Sequence, residues 1–152
     1  MKIALVTAIA AFALDDDLAP LGDALRKAGA SVEILAWDDF SVSWKRFDAV
    51  VLRSTWDYTE RLPEFIAWCE RTATQTRMLN PADVVKWNTD KHYLADLADK
   101  KCPVVESVFI EPGQTPHSFP DYAEFVVKPA VGAGSRDTQR YWQKIAWQRS
   151  NM

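Results

Sequence analysis

The sequence contains little cysteine, histidine or net charge, and each shortage excludes a class of site. Its 152 residues include two cysteines and two histidines, and 18 basic against 21 acidic side chains leave a net charge of -3. Cys69 and Cys102 form no Cys-x-x-Cys pair, so we expect reduced core thiols and neither a disulfide framework nor a thiolate metal site. His92 and His117 lie in different segments, so we expect surface or packing roles and no zinc site.

The balance of charge also bears on partners. A net charge of -3 gives no electrostatic reason to bind nucleic acid or an anionic membrane surface, so a small molecule or a protein is the expected partner. A composition of 48% hydrophobic and 26% charged residues is typical of a globular protein with a buried core and excludes disorder, collagen and coiled coil. We expect a cytoplasmic protein. The seven tryptophans indicate packing or ligand walls.

The apolar stretch at residues 3–14 has two interpretations. Lys2 before it and Ala11-Phe12-Ala13 within it resemble a short secretory signal. However, Leu18, Leu21 and Leu25 recur at helical spacing before Gly29, which favours a buried strand at residues 2–7, then a loop and a helix. The stretch is too short to span a bilayer as a helix.

The pattern of the first 80 residues predicts an α/β structure with a largely parallel sheet. Apolar, β-branched runs predict further strands, and steps of three or four predict a second helix with Pro63 in its first turn. Asn80-Pro81 marks a break. The predicted elements are strands at residues 2–7, 32–37, 47–52 and 78–79 and a helix at residues 61–73.

Beyond the break the pattern is weaker. Asn88 or Thr89 would cap a helix that runs through Leu97, with Tyr93, Leu94, Leu97 and Ala98 on its buried side. Strands are expected at residues 108–110 and 125–128, separated by a proline-rich connector at residues 112–120. No strand is expected in residues 141–152.

The most informative motif is a lysine at a strand end followed by a glycine-rich loop. Lys128 ends the run Phe-Val-Val-Lys, and Gly132, Gly134 and Ser135 follow. Such a loop offers backbone N–H groups and a hydroxyl to phosphate oxygens. It is neither a Walker A loop nor a G-x-G-x-x-G motif, and an edge-strand lysine before a plain turn is the alternative interpretation.

These residues, together with Trp87-Asn88-Thr89-Asp90-Lys91, resemble the ATP-grasp ligases. The segment Arg53-Ser54-Thr55-Trp56-Asp57-Tyr58 narrows the resemblance to the cycloserine-forming, O-ureido-serine cyclo-ligase type, over about the first 140 residues. It implies a Rossmann-like pre-ATP-grasp domain at residues 1–80, the beginning of an ATP-grasp central domain at residues 81–138, and an atypical tail at residues 139–152.

The resemblance also implies roles for individual residues. Lys91 and Lys128 would bind the ATP phosphates, and the loop with Gly132, Gly134 and Ser135 would close over them. The implied reaction is phosphorylation of a carboxylate of a small, amino-acid-like substrate by ATP with Mg²⁺, followed by attack of an amine, which is intramolecular in the nearest relatives. Without the resemblance, Lys91 is better explained as a solvated helix lysine.

The segment after the third predicted strand lies where ligands bind in parallel α/β sheets. Arg53 would bind a substrate carboxylate, Thr55 and Asp57 would donate to or accept from polar substrate atoms, and Trp56 and Tyr58 would form walls. The alternative is that Trp56 is a core residue, Asp57 caps a helix and Arg53 pairs with a surface acid. The acidic run at residues 15–17 most simply begins a helix, and we assign it no chemistry.

The sequence departs from the ATP-grasp pattern in its last part. The late acidic and asparagine residues that would hold Mg²⁺ are missing, and a Gln/Arg/Trp-rich end follows Thr138. We therefore expect a truncated chain, catalytically incomplete, whose exposed apolar surface favours self-association into a homo-oligomer. Two other interpretations stay open. One is a non-catalytic binding or dimer-forming remnant. The other is a receiver-like phosphoacceptor domain with Asp15-Asp16, Asp57, Thr89 and Lys128-Pro129 in the order such folds use, although the distance of Asp15 and Asp57 from the strand ends argues against a shared metal site.

Overall fold

The computed structural model describes residues 1–115 and 122–142 and divides the chain into two compact units. The first unit, Met1–Thr89, is built on a sheet of four parallel strands in the order β2-β1-β3-β4. The strands are β1 (Lys2–Thr7), β2 (Ser31–Ala36), β3 (Ala49–Ser54) and β4 (Arg77–Leu79). The predicted α/β class with a small parallel, Rossmann-like sheet is therefore confirmed, and residues 2–7 form a strand as expected.

Three α-helices accompany this sheet: α1 (Leu18–Lys27), α2 (Leu62–Ala73) and α3 (Ala82–Asn88). Pro63 lies in the first turn of α2, where its missing N–H would have no helical partner. Short 3₁₀ helices occupy Ile9–Ala11, Trp44–Arg46 and Trp56–Thr59. The first and last of these follow the carboxyl ends of β1 and β3.

The core of the first unit lies on both faces of β1. Alternate residues of a strand point to opposite faces, and accordingly Ile3 and Leu5 belong to one apolar cluster while Ala4 and Val6 belong to another. The larger cluster is aromatic, with Trp44 and Trp68 ring centroids 5.1 Å apart. Packing therefore explains three tryptophans, Trp37, Trp44 and Trp68, whereas Trp56, Trp87 and Trp142 are exposed and Trp147 lies outside the described residues.

The second unit begins at Asp90 and is described by itself. It contains α4 (Tyr93–Asp99) and an antiparallel pair formed by β5 (Glu124–Val127) and β6 (Gln139–Trp142). Among its described residues, 90–115 and 122–142, every side chain is at least partly accessible to solvent. In the described part of the chain, no helix combines the length and the apolar character needed to cross a membrane.

Several predictions for this region were wrong. The expected helix from Asn88 or Thr89 through Leu97 begins later, at Tyr93 of α4, and α3 was not predicted. Thr89 directly follows α3, and its hydroxyl donates to the Lys86 carbonyl oxygen instead of capping α4. On the predicted buried side of α4, Tyr93, Leu94 and Leu97 are partly buried, whereas Ala98 is exposed, and none of the α4 side chains is fully buried. Residues 108–110 form no strand, and β6 extends into the tail that we expected to lack one.

The predicted domain boundaries of 1–80, 81–138 and 139–152 stay predictions. Compactness places α3 with the first unit, since Val85 packs into its larger apolar cluster. The connector expected at residues 112–120 and His117 lie partly or wholly outside the described residues. Both cysteines are free thiols, but only Cys69 is a core residue, because Cys102 is exposed.

Candidate functional site

The first candidate site lies at the carboxyl edge of the four-stranded sheet. In the strand order β2-β1-β3-β4, the connection after β1 leads to β2 on one side, and the connection after β3 leads to β4 on the other side. The gap between β1 and β3 is therefore the topological switch point of the sheet. Ligands bind at such points in open α/β sheets. The loop after β1 and the end of β3 both border this gap, and they carry Asp15, Arg53, Thr55 and Asp57.

Arg53 owes its position to an irregularity in β3. Val6 pairs with Leu52 and Thr7 pairs with Ser54, so Arg53 is an extra residue between two paired positions. Such a bulge turns a side chain away from its regular direction. The buried Ser54 hydroxyl donates to the Thr7 side-chain oxygen at 2.9 Å, which secures the register on the far side of the bulge.

The guanidinium of Arg53 is held by two carboxylates of the loop after β1. Nη2 donates to Asp17 Oδ2 at 2.9 Å, and Nε lies 3.1 Å from Asp15 Oδ2. The Asp15 side chain is only 4% exposed, whereas that of Asp17 is 82% exposed. The sequence analysis assigned the acidic run no chemistry. Only the structure shows that one of its carboxylates, that of Asp15, is buried beside the end of β3.

Asp57 belongs to a second network at the same edge. Its Oδ1 accepts a hydrogen bond from Trp37 Nε1 at 2.9 Å, and its Oδ2 lies 3.3 Å from Arg61 Nη1. The same Arg61 atom donates to Asp38 Oδ2 at 2.9 Å, and the guanidinium lies over the Trp37 ring with Cζ 4.6 Å from its centroid. We call Trp37, Asp38, Asp57 and Arg61 the edge network.

The edge network bears on the alternatives raised from the sequence. Asp57 joins strand-end residues instead of capping a helix, and Trp56 is 41% exposed instead of lying in the core. Thr55 is 7% exposed. Ile9 and Phe12, in the loop after β1, are 59% and 47% exposed, so apolar side chains at this edge face solvent beside the charged groups.

The second candidate site lies in the second unit, around Lys91. Its backbone N–H donates to the Ala130 carbonyl oxygen at 2.9 Å, and Asp90 forms an isolated antiparallel bridge with Val131. Lys91 Nζ donates to the carbonyl oxygens of Ala130 and Gly132, both at 3.1 Å. An ammonium has three donors, and two of those of Lys91 are used within the described residues.

Lys128 directly follows β5, and its positive charge acts on the ammonium group of Lys91. Burial, and next the positive charge of Lys128, lower the pKa of Lys91 below its usual value. The structure therefore brings together Lys91, Lys128 and the loop at residues 128–138, which we call the lysine loop. A Cβ on Gly132 would lie 3.6 Å from Lys91 Nζ, so glycine keeps the space beside the ammonium open.

The lysine loop turns through left-handed backbone conformations. Gly134, Ser135 and Asp137 have φ values of 61°, 59° and 53°, and glycine is the residue that adopts this region at least cost. The Arg136 N–H donates to the Ala133 carbonyl oxygen at 3.2 Å. Within the described residues, no three His, Cys, Asp or Glu side chains are grouped as metal ligands, so the structure offers no cage of protein ligands there for Mg²⁺.

Comparison with known proteins identifies relatives of this chain. A family model described as the N-terminal domain of D-cycloserine synthetase DcsG matches residues 3–80. The cycloserine biosynthesis protein DcsG of Streptomyces lavendulae is 41% identical over 152 residues, which is 95% of this chain and 51% of that protein. The crystal structure of D-cycloserine synthetase DcsG matches with a TM-score of 0.82 and 41% identity, over 93% of this chain and 50% of that one.

The chain thus spans about half the length of the relatives that it matches. At this identity the solved structure supports the arrangement of the parallel sheet and its flanking helices. The resemblance to the cycloserine-forming type, drawn from residues 53–58, is confirmed at the level of this family.

Proposed function

Because the chain belongs to the family of the DcsG N-terminal domain, we propose that it is part of an ATP-grasp-type ligase. The reaction proposed is ATP-dependent activation of a carboxylate on a small, amino-acid-like substrate, followed by attack of an amine. The names of the relatives, a cycloserine biosynthesis protein and a D-cycloserine synthetase, support a biosynthetic role of this kind.

The observation that carries the proposal is that two cations, Lys91 and Lys128, lie near each other at the lysine loop. Burial and then the positive charge of Lys128 lower the pKa of Lys91, and an anion bound near both ammonium groups would relieve the repulsion between them. A polyphosphate supplies such an anion, and Gly134 and Ser135 offer backbone N–H groups and a hydroxyl beside it. We therefore assign Lys91, Lys128, Gly132, Gly134 and Ser135 to binding of the ATP phosphates.

The chemistry that these residues would assist is positioning and charge stabilisation. A carboxylate oxygen attacks the γ-phosphorus, the bond from that phosphorus to the bridging β-phosphate oxygen breaks, and the products are an acyl phosphate and ADP. The amine then attacks the acyl carbon, inorganic phosphate departs with the electron pair of the broken C–O bond, and the nitrogen loses a proton. Negative charge on the phosphate oxygens is neutralised by the two ammonium groups throughout. Magnesium, when bound to the phosphates, would add further charge neutralisation.

A second set of residues is proposed to face the substrate. Arg53 would bind a substrate carboxylate through the N–H that it now donates to Asp17. Asp17 is highly exposed and exposed ion pairs contribute little, so a ligand carboxylate can replace it at small cost, while the buried Asp15 keeps the guanidinium in place. Thr55 and Asp57 are assigned to the same role, although both Asp57 oxygens already serve the edge network.

Calorimetric titration with ATP and with Mg-ATP tests the nucleotide assignment. We expect the chain to bind both, and Lys128→Ala to weaken binding by about tenfold or more, because a charge-assisted contact to phosphate contributes roughly 1.5–3 kcal/mol. Lys91→Ala should have an effect of similar size.

The matched control is Lys100→Ala. Lys100 is an exposed lysine of the second unit that lies at the end of α4, and its loss changes the net charge equally without touching the lysine loop. Equal weakening in Lys100→Ala and Lys128→Ala would contradict the assignment, since the effect would then be one of net charge. Absence of nucleotide binding to the unmodified chain would overturn it.

A further inference from the structure

A histidine next to Lys91 is held between two carboxylates. His92 Nδ1 lies 2.6 Å from Asp90 Oδ1, and Nε2 lies 3.2 Å from Glu111 Oε1. The ring also stacks on Phe109, with centroids 4.2 Å apart and an angle of 26° between the planes. His92 thus connects the beginning of α4 with the irregular segment that contains Phe109 and Glu111.

The same short turn presents Lys91 to the lysine loop. Asp90 Oδ1 accepts a hydrogen bond from the His92 backbone N–H at 3.0 Å, which closes the turn Asp90-Lys91-His92. Lys91 is the central residue of this turn and makes its three contacts with the carbonyl oxygens of Ala130 and Gly132 from there. Any group that fixes Asp90 and His92 therefore fixes the position from which Lys91 reaches the loop.

The clamp depends on the charge of the imidazole. Nδ1 is hydrogen-bonded to Asp90, whereas Nε2 makes no hydrogen bond and lies within ion-pair distance of Glu111. Glu111 therefore attracts the ring by its charge, and only when the ring is protonated as an imidazolium. The hydrogen bond to Asp90, with further attraction to Glu111, raises the pKa of His92 above its usual value. Among the described residues, Asp90 and Glu111 are the charged groups that face the ring, and the charged neighbour on its own turn is Lys91.

We propose that His92 is a positioning residue for the polyphosphate site: its protonated ring, clamped by Asp90 and Glu111, holds Lys91 against the lysine loop. The inference rests on the proposed function, because it adds a pH-dependent support to the same site. A group whose pKa is raised in the folded protein exerts its stabilising effect below its unfolded pKa and loses it as the pH rises through the folded pKa. Affinity for polyphosphate should therefore fall as the pH rises through the His92 pKa.

The experiment uses sodium tripolyphosphate as the probe and measures its affinity calorimetrically from about pH 6 to about pH 9. The unmodified chain is compared with His92→Gln, which is neutral at every pH, and with His92→Arg, which stays charged at every pH. Titration of the probe and of the lysines affects all three proteins alike. The measured quantity is therefore the ratio of affinities between the proteins at each pH.

We expect His92→Arg to equal the unmodified chain at low pH and to bind several-fold more tightly than it at high pH. His92→Gln should be several-fold weaker at low pH and equal to the unmodified chain at high pH, where neither side chain is charged. Glu111→Gln should move the transition to lower pH, because one of the two carboxylates that raise the His92 pKa is gone. Parallel pH profiles for all four proteins would overturn the inference.

A second measurement separates this inference from the proposed function. The rate of hydrogen exchange of the Lys91 backbone amide, which donates to the Ala130 carbonyl oxygen, reports directly on the contact between Lys91 and the lysine loop. At low pH this amide should exchange faster in His92→Gln than in the unmodified chain, with or without a ligand. Equal exchange would overturn the positioning role even if tripolyphosphate binds, whereas faster exchange without any tripolyphosphate binding would overturn the proposed function and leave the clamp intact.

Discussion

At the scale of single residues, the two cysteines differ in the property that governs thiol reactivity. Cys69 is fully buried in α2, and burial raises the pKa of its thiol to about 12. Cys102 is exposed. The thiolate is the reactive form of cysteine, so reactivity is expected at Cys102 alone.

This difference is a testable prediction. At about pH 8 a disulfide reagent such as dithionitrobenzoate should label one thiol per folded chain and both thiols after denaturation. Cys102→Ser should abolish the reaction of the folded protein, whereas Cys69→Ser should leave it unchanged. Equal labelling rates for the two thiols in the folded chain would contradict the burial of Cys69.

A second prediction at this scale concerns Asp57 of the edge network. Asp57→Ala removes the acceptor of the buried Trp37 N–H and one partner of Arg61, and a buried donor without a partner costs about 1–3 kcal/mol. Asp57→Asn keeps an oxygen for Trp37 and should destabilise the chain by less. Urea unfolding followed by tryptophan fluorescence measures both.

Asp16→Ala is the control for this comparison. Asp16 is an exposed acid of the loop after β1, and surface substitutions of this kind change stability by about 0.5 kcal/mol or less. If Asp57→Ala unfolds at the same urea concentration as Asp16→Ala, the edge network contributes no stability. Asp57 would then be free for the substrate role alone.

At the scale of elements, α1 shows how one residue type has opposite effects inside a helix and after it. Gly22 lies within α1, and a Cβ there would lie 3.3 Å from the Arg26 guanidinium, which donates to Asp23 and to the Val32 carbonyl oxygen. Gly29 follows the helix with φ of 90° and open space around it. Glycine destabilises the interior of a helix. At the position after a helix, however, glycine adopts the left-handed backbone conformation without the strain that other residues incur there.

We therefore predict opposite signs for two alanine substitutions. Gly22→Ala should raise the free energy of unfolding by about 0.5–1 kcal/mol, because the Arg26 side chain can shift and the helix gains propensity. Gly29→Ala should lower it by about 1 kcal/mol through backbone strain. Thermal unfolding of the two variants beside the unmodified chain measures both changes, and a shared sign would show that packing rather than backbone conformation dominates.

The β3 bulge is the element-level feature that positions Arg53 of the proposed substrate site. In a regularly paired strand, the side chain of Arg53 would point to the face of the sheet opposite to that of Leu52. The bulge turns the Arg53 side chain, which contacts Asp15 and Asp17 in the loop after β1. The apolar, β-branched run at residues 47–52 predicts a strand here, which the structure places at Ala49–Ser54. The run contains no sign of the shift between Val6 and Thr7, because the shift depends on how two separate segments pair.

At the scale of the whole molecule, burial is unevenly distributed between the two units. Every fully buried side chain among the described residues lies between Ile3 and Thr89. The second unit holds together through hydrogen bonds, strand pairing and the ion pair of Arg140 with Glu124. A cooperative unfolding transition requires a buried apolar core.

We therefore predict that residues 1–89, expressed alone, unfold cooperatively with nearly the same midpoint as the full chain. Near-ultraviolet circular dichroism follows Trp37, Trp44 and Trp68, which all lie in this fragment. Residues 90–152 alone should show no cooperative transition, and they serve as the comparison. A fragment 1–89 without a sharp transition would mean that its core needs the rest of the chain.

The self-association expected from exposed apolar surface stays a prediction. Val126 and Val127 of β5 are exposed apolar side chains of the kind that would take part in it.

The sequence by itself determined the parts of this protein that depend on local pattern. The four strands of the first unit follow from short apolar, β-branched runs, because a strand buried on both faces is apolar throughout, and α1 and α2 follow from apolar residues at steps of three or four. The lysine loop was also visible as a motif, since Lys128, Gly132, Gly134 and Ser135 are close in sequence. Residues 53–58 indicated the family for the same reason, because they form one continuous segment.

Only the tertiary structure decided what depends on segments that are distant in sequence. The pairing of Arg53 with Asp15, the contact of Trp37 with Asp57, and the clamp that joins His92 to Glu111 have no local signature, because each needs two segments to be brought together by the fold. The presence of α3 and the later beginning of α4 also depend on distant segments, since Val85 packs into the larger apolar cluster of the first unit and Lys91 donates to the Ala130 and Gly132 carbonyl oxygens.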